Sequence, residues 1–355
     1  MQGLRWSANA ATLADNINRR QGQGSVIDYL GLEEELFITE PTRPHLSSLY
    51  YMSRLLIRNP RHYYRYSATN FSRGADAREC LMSTVEIATM PQPTPDTLLQ
   101  ELRQRRQELS CAVGDAYLVP VGHLFDLESP TNTGGLHLHL SVPEAQRERV
   151  YANLAYFLPL LILLSASSPY AGGRYFGPSY RVAHSFAIGP LREEPTYRFQ
   201  DLIFARRLGT IEIRALDPVW DLERLHWLLR CVEAIAALPD AFPLDRERYA
   251  ELREQAAREG YTPALRRLYR ELRPWVALPE RLLQHTASDE MAEWVAREGI
   301  EATYAALDHA YRFGTLCRVA PRPLKPSLWR GIAGFASYYL LRLPYIAYKA
   351  WREWH

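Results

Sequence analysis

The sequence of 355 residues predicts an α+β fold. Three observations point there. Segments with period-two alternation of apolar and ionisable residues dominate the first two-thirds of the chain. Amphipathic helical segments lie between them, without the regular strand–helix alternation of a parallel sheet. From Asp221 onward almost every segment has helical spacing.

The elements follow in order. Residues 1–24 read as a short helix and then a flexible "RQGQG". Tyr29 to Thr39, "YLGLEEELFIT", reads as a strand, and "PTRPHLSSLYYMSRLLIRNP" as a turn and a helix. "CLMSTVEIATMP" (80–91) is β-like and is stopped by Pro91. The next helix has an N-cap in Thr94, Pro95 at its first position and apolar spacing of three and four. "YLVPVGH" and "GLHLHLSVP" are strands, and a helix follows from about Glu144 to Leu164. "SSPYAGGRYFGPSYR" is a Gly- and Pro-rich loop. "GTIEIRALDPVW" is a strand ended by Asp217-Pro218. There is no internal repeat and no low-complexity tract.

Composition bounds the function. Hydrophobic residues make up 47%, enough for a sizeable core. A net charge of +2 gives no reason to expect a nucleic-acid partner. The only lysines are Lys325 and Lys349, so a lysine nucleophile is excluded from the first 324 residues. Four cysteines without C-x-x-C spacing, and no signal peptide, predict a cytoplasmic protein. No apolar run reaches the roughly 18–20 residues of a membrane span. The nearest, Tyr151 to Ala166, carries Asn153 and Pro159 and reads as a buried helix. Neither G-x-G-x-x-G after a strand nor a Gly-Lys-Ser/Thr loop occurs.

Four strands share one anomaly. In "TGGLHLHL", His137 and His139 lie on one face and Leu136, Leu138 and Leu140 on the other. Glu33 and Glu35 share a face in "GLEEEL", with Leu32, Glu34 and Leu36 opposite. Glu86 sits between Val85 and Ile87, and Glu212 shares a face with Arg214. A half-exposed antiparallel strand explains any one of these. Together they differ from an ordinary solvated face, which mixes in Thr, Ser and Gln. If the strands pair, the carboxylates converge and repel unless a cation neutralises them. Magnesium is the expected ion, with manganese the alternative that the histidines favour.

The motifs "GLEEEL", "TVEIAT", "GLHLHLSV", "SASSP" and "GTIEIRALD", in this order over residues 27–235, resemble the carboxylate–amine ligases related to glutamate–cysteine ligase family 2, of the glutamine synthetase-like superfamily. The resemblance implies a curved, mainly antiparallel sheet forming a cup. ATP would enter one end and amino-acid substrates the other, with two or three Mg2+ ions between. Residues 1–240 would be the catalytic domain, and 241–355 a helical region packed on it as one unit. By the same resemblance, Glu35 and Glu86 match ligands of the metal nearer the acceptor carboxylate, with Glu79 a further acid. Glu33, His137 and Glu212 match ligands of the metal on the ATP phosphates, and His139 would touch nucleotide or phosphate. Arg214 matches the arginine that steadies the transferring phosphoryl group. Arg174, Ser179 and Arg181 match polar positions of the substrate-side loop, with Arg181 a second catalytic cation. The "YFGP" between Arg174 and Ser179 is bulkier than the family pattern, and the C-terminal third does not match it.

The implied reaction activates a carboxylate, as in glutamate, as an acyl phosphate. An amine or an amino acid such as cysteine then displaces phosphate to form an amide. A phosphotransferase of the same fold and a non-catalytic nucleotide-binding relative are the alternatives. The tail, "LWRGIAGFASYYLLRLPYIAYKAWREWH", is aromatic, apolar and interrupted by Pro344. It reads as a helix across the protein's own core, a membrane-surface element, or a contact with a partner or second subunit through 328–355.

Overall fold

A computed structural model describes residues 26–354. The helix expected in 1–24 lies outside the described residues. A mixed sheet-and-helix body is found, as the alternation predicts. Its main sheet holds β1 (Tyr29–Thr39), β2 (Ser67–Phe71), β3 (Met82–Ala88), β4 (Tyr117–Val119), β5 (Leu136–Ser141), β8 (Leu202–Ala205) and β9 (Thr210–Leu216). Their order is β2-β3-β1-β5-β9-β8, and β4 pairs the C-terminal end of β1. Every pairing is antiparallel. Strands β6 (Tyr170–Ala171) and β7 (Arg174–Tyr175) form a separate hairpin inside the Gly- and Pro-rich loop. The sequence reading missed β2 and β8. Both are short edge strands, and "SATNF" has no apolar alternation to announce it.

The leucine face of the sheet is core. Leu30, Leu32, Leu136, Leu138, Leu140, Ile211 and Ile213 are all at most 1% exposed. Helices Pro95–Val113, Glu144–Ser165 and Leu222–Ala236 cover that face. Glu144–Ser165 is apolar around most of its circumference because it is buried on nearly all sides, and it contains Pro159. A second cluster joins Leu36, Ile38 and Val85 to helix Ser47–Arg58 and to Tyr338 of the last helix, Leu328–Trp354. Helix Ile300–Phe313 is built into the same body: Asp308 accepts the Leu118 N–H at 2.9 Å.

Register brings the anomalous residues together. Glu33 pairs His137, Glu35 pairs Glu86, and His139 pairs Glu212. The β5–β9 ladder shifts between Leu136 and Leu138, a bulge that re-aims the strand beside Arg214. The "TGG" before β5 has a steric reason. A Cβ on Gly135 would lie 2.4 Å from Arg181 Nη2 and 2.9 Å from His137 Nε2. One on Gly134 would lie 2.9 Å from the Glu35 carbonyl. Only glycine lets the backbone pass this close.

Candidate active site

Glu33 lies between two imidazoles. Its Oε2 is 3.4 Å from His137 Nδ1, and its Oε1 is 3.6 Å from His139 Nε2. His137 Nδ1 is also 3.8 Å from Glu212 Oε1. Glu212 in turn forms an ion pair with Arg214. Burial pushes the Glu33 carboxyl up, but the hydrogen bonds and charges of the two histidines outweigh it and hold Glu33 well below the usual carboxylate range. Burial lowers His139, but Glu33 and Glu212 outweigh that and raise it.

Glu86 behaves oppositely. Burial drives its carboxyl well above the ordinary value, and repulsion by Glu33, Glu35 and Glu212 adds to it, with Arg214 opposing. Burial and the crowding of carboxylates on one sheet face thus hold Glu86 towards its neutral form. Glu35 is steadied from β2: Asn70 Nδ2 donates to its Oε1 at 3.2 Å and to Thr84 Oγ1 at 3.0 Å.

These residues fit a divalent cation. One ligand atom each from Glu33, His139 and Glu212 lies within 4.8 Å of the others. His139 Nδ1 is 3.2 Å from Thr210 Oγ1, which fixes the ring, and its buried Nε2 faces Glu33 Oε1 at 3.6 Å. His139 joins Glu33 and Glu212 in that set, beside the His137 that the resemblance placed there. His137 stands 3.4 Å from Glu33 and 3.8 Å from Glu212 and also lines the open cleft beside the floor.

That cleft has a volume of about 310 Å3. Glu35, Asn70 and His137 form one part of its lining, and Arg73, Arg181, Arg198 and Arg214 another. Arg181 is fixed by donating to the carbonyls of Leu216 at 3.0 Å and Arg214 at 2.9 Å. Asp217, fully buried, stands 3.6 Å from it. Asp217 also accepts from Ser167 N–H, Ser168 Oγ and Ser179 Oγ, at 3.1, 2.7 and 2.9 Å.

Three expected site residues lie apart from this cluster. Glu79 is exposed at the end of a short 3-10 turn, Gly74–Arg78. Arg174 is in solvent on the small hairpin, 3.6 Å from Glu128. The Ser179 hydroxyl is committed to Asp217 and to the N–H of Val182, whose helix it caps. Sequence reasoning missed Asn70, Thr210 and Asp217. Asp217 was legible only as the strand-ending half of Asp-Pro. The glycine Gly122, whose Cβ would come within 2.5 Å of the Asp217 carboxyl, carried no signal by itself.

No family model matches the chain. A stretch of 164 residues is 34% identical to a putative glutamate–cysteine ligase 2 of Pseudomonas aeruginosa, covering 37% of this chain and 41% of that protein. The match therefore spans less than half of the relative's length. Among solved structures, the chain is similar to a glutamate–cysteine ligase of Francisella tularensis determined in complex with AMP. The TM-score is 0.56 at 12% identity, over 91% of this chain and 95% of that one. A bifunctional glutathione synthetase of Pasteurella multocida gives the same TM-score, 0.56, at 12% identity, over 84% of this chain and 53% of that one. The chain has the fold of these enzymes, and in sequence it resembles the glutamate–cysteine ligase 2 proteins.

Proposed function

We propose that this chain is an ATP-dependent carboxylate–amine ligase that makes an amide through an acyl phosphate. One observation carries the reading: Glu33, Glu35, Glu86 and Glu212 crowd onto one sheet face beside a cleft walled by arginines. The similarity to glutamate–cysteine ligases supports it. Glutamate is the inferred carboxylate donor, and the acceptor is an amine or an amino acid such as cysteine. Residues within 1–240 carry the chemistry in this reading.

The arrangement suits the reaction. Glu33, His139 and Glu212 would hold one divalent cation, and Glu35 and Glu86 would share a second. Magnesium, or manganese, would supply charge neutralisation at the phosphoryl oxygens. Arg214, tethered to Glu212, faces the cleft and would stabilise negative charge on the transferring group. Arg181, rigid on two backbone carbonyls, would orient the substrate carboxylate as it attacks the γ-phosphate. ADP leaves, the amine adds to the acyl carbon, and inorganic phosphate departs. Catalysis here is positioning and electrostatics, so no protein nucleophile is required.

The test measures phosphate release from ATP and Mg2+ across a panel of amino acids and amines, with mass spectrometry of the condensed product. An amide product in the presence of both substrates is expected. A stable phosphorylated product and no amide would make the chain a phosphotransferase. ATP binding without turnover across the panel would make it a non-catalytic relative.

A further inference from the structure

The last helix has an unusual outward face. Every exposed position from 332 to 348 is apolar. Trp329 is 81% exposed, and Ile332, Phe335, Leu340, Leu343 and Ile346 follow along the same helix, each more than two-fifths exposed. The inward face is closely fitted, so this orientation is not loose. A Cβ on Gly334 would lie 2.1 Å from the Tyr50 nitrogen, and one on Gly331 would lie 2.8 Å from Leu46 Cβ. Tyr338 is buried, and Arg342 turns inward to donate to the Ser67 carbonyl at 2.8 Å. The one cation in the middle of the helix is thereby removed from the outer surface.

Charge identifies the occupant. Residues 309–352 contain eight of the 42 Lys and Arg and none of the 40 Asp and Glu. The rest of the chain is left net acidic. Within that run, Arg312, Arg318, Arg322 and Arg330 already pair with Asp308, Glu298, Asp308 and Asp115 of the body. Lys325 stands just before the helix, and Lys349 and Arg352 belong to its last turns. Cations therefore bracket an apolar, aromatic-rich strip at both ends. Against a second copy, parallel pairing of the helices would set Lys325 against Lys325 and Lys349 against Lys349, and antiparallel pairing would bring Lys325 towards Lys349 and Arg352, with Glu353 the single acid of the helix. A layer with an apolar interior and anionic headgroups fits both features. The helix would lie along that layer, since no helix among the described residues is long and apolar enough to cross it.

We propose that the face of Leu328–Trp354 carrying Trp329, Phe335 and Leu343 docks the protein on an anionic lipid surface. The test is flotation of the full chain with vesicles. One set is about three parts phosphatidylcholine to one part phosphatidylglycerol; the other is phosphatidylcholine alone. The chain should float with the anionic set and be released by raised salt. Trp329→Ser combined with Phe335→Ser and Leu343→Ser should weaken partitioning roughly tenfold or more. Lys325→Glu with Lys349→Glu, which leaves the apolar strip intact, should abolish the preference for anionic vesicles. Retained helix content by circular dichroism shows that either variant is folded. Wild-type chain that stays unbound to both vesicle sets overturns the proposal. So does a dimer in sedimentation that the triple substitution dissociates while vesicles bind nothing.

Discussion

Strand β1 carries three consecutive glutamates, and the two faces of the sheet treat them in opposite ways. Glu34 points into the core and is fully buried. There it is matched: Arg106 donates to it through Nε at 3.2 Å and through Nη2, and the Tyr311 hydroxyl donates to it at 2.8 Å. Arg106 also donates to the carbonyls of Val219 and Trp220, at 2.6 and 3.0 Å. Its neighbours Glu33 and Glu35 join Glu86 and Glu212 on the other face, where the carboxylates stand close enough for mutual repulsion to raise Glu86. A charge that serves the fold arrives with its partner built in. The acids of the other face instead share neighbours and repel one another, which is the arrangement the proposed ligand site requires.

That contrast can be broken from either side. The largest effect is expected on the site face. Glu212→Ala or Glu35→Ala should abolish substrate-dependent ADP release, a loss of about a thousandfold or several kcal/mol of barrier stabilisation, while the thermal unfolding midpoint stays near wild type. Turnover like the wild type in both variants would remove the metal-site assignment. On the core face, Glu34→Leu strands the buried Arg106 guanidinium. It should cost about 3–5 kcal/mol in urea unfolding.

A third expectation concerns pH and lies away from both faces. Burial pushes the His123 imidazole down to about 4; it has no exposed surface, and its Nε2 accepts the Ser129 N–H at 3.2 Å. The neutral ring is the folded form, so its contribution is full above pH 6.5 and is lost as pH falls towards 4. The amount is up to about 3 kcal/mol. Stability measured between pH 7 and 4.5 should show this slope, and His123→Asn should flatten it.

The smaller effects sharpen the comparison. Tyr311→Phe removes one hydrogen bond to Glu34 but leaves Arg106 in place, and should cost about 1 kcal/mol. Glu86→Gln should leave stability unchanged or slightly raised in metal-free protein, because it relieves like-charge repulsion. A loss comparable to that of Glu34→Leu would mean that Glu86 is a structural acid after all.

The sequence by itself determined the alternation, and with it which residues share a face. Glu33 with Glu35, His137 with His139, and Glu212 with Arg214 were legible because side chains in a strand alternate with a fixed period of two. The helix Pro95–Val113 was legible from its Thr94 cap and Pro95. Three things depended on tertiary structure. Register decided that His137 and His139 both stand beside Glu33 and Glu212, because Glu33 pairs His137 across β1–β5 and His139 pairs Glu212 across β5–β9. The sheet edge decided that Asn70 reaches Glu35 from a strand with no apolar pattern. Long-range packing decided that Glu34 is neutralised by Arg106, 72 positions away, and hydrogen-bonded by Tyr311, 277 positions away. Local periodicity follows from backbone geometry that each short segment carries within itself. Pairing and neutralisation depend on which distant segments become neighbours, and only the folded chain fixes that.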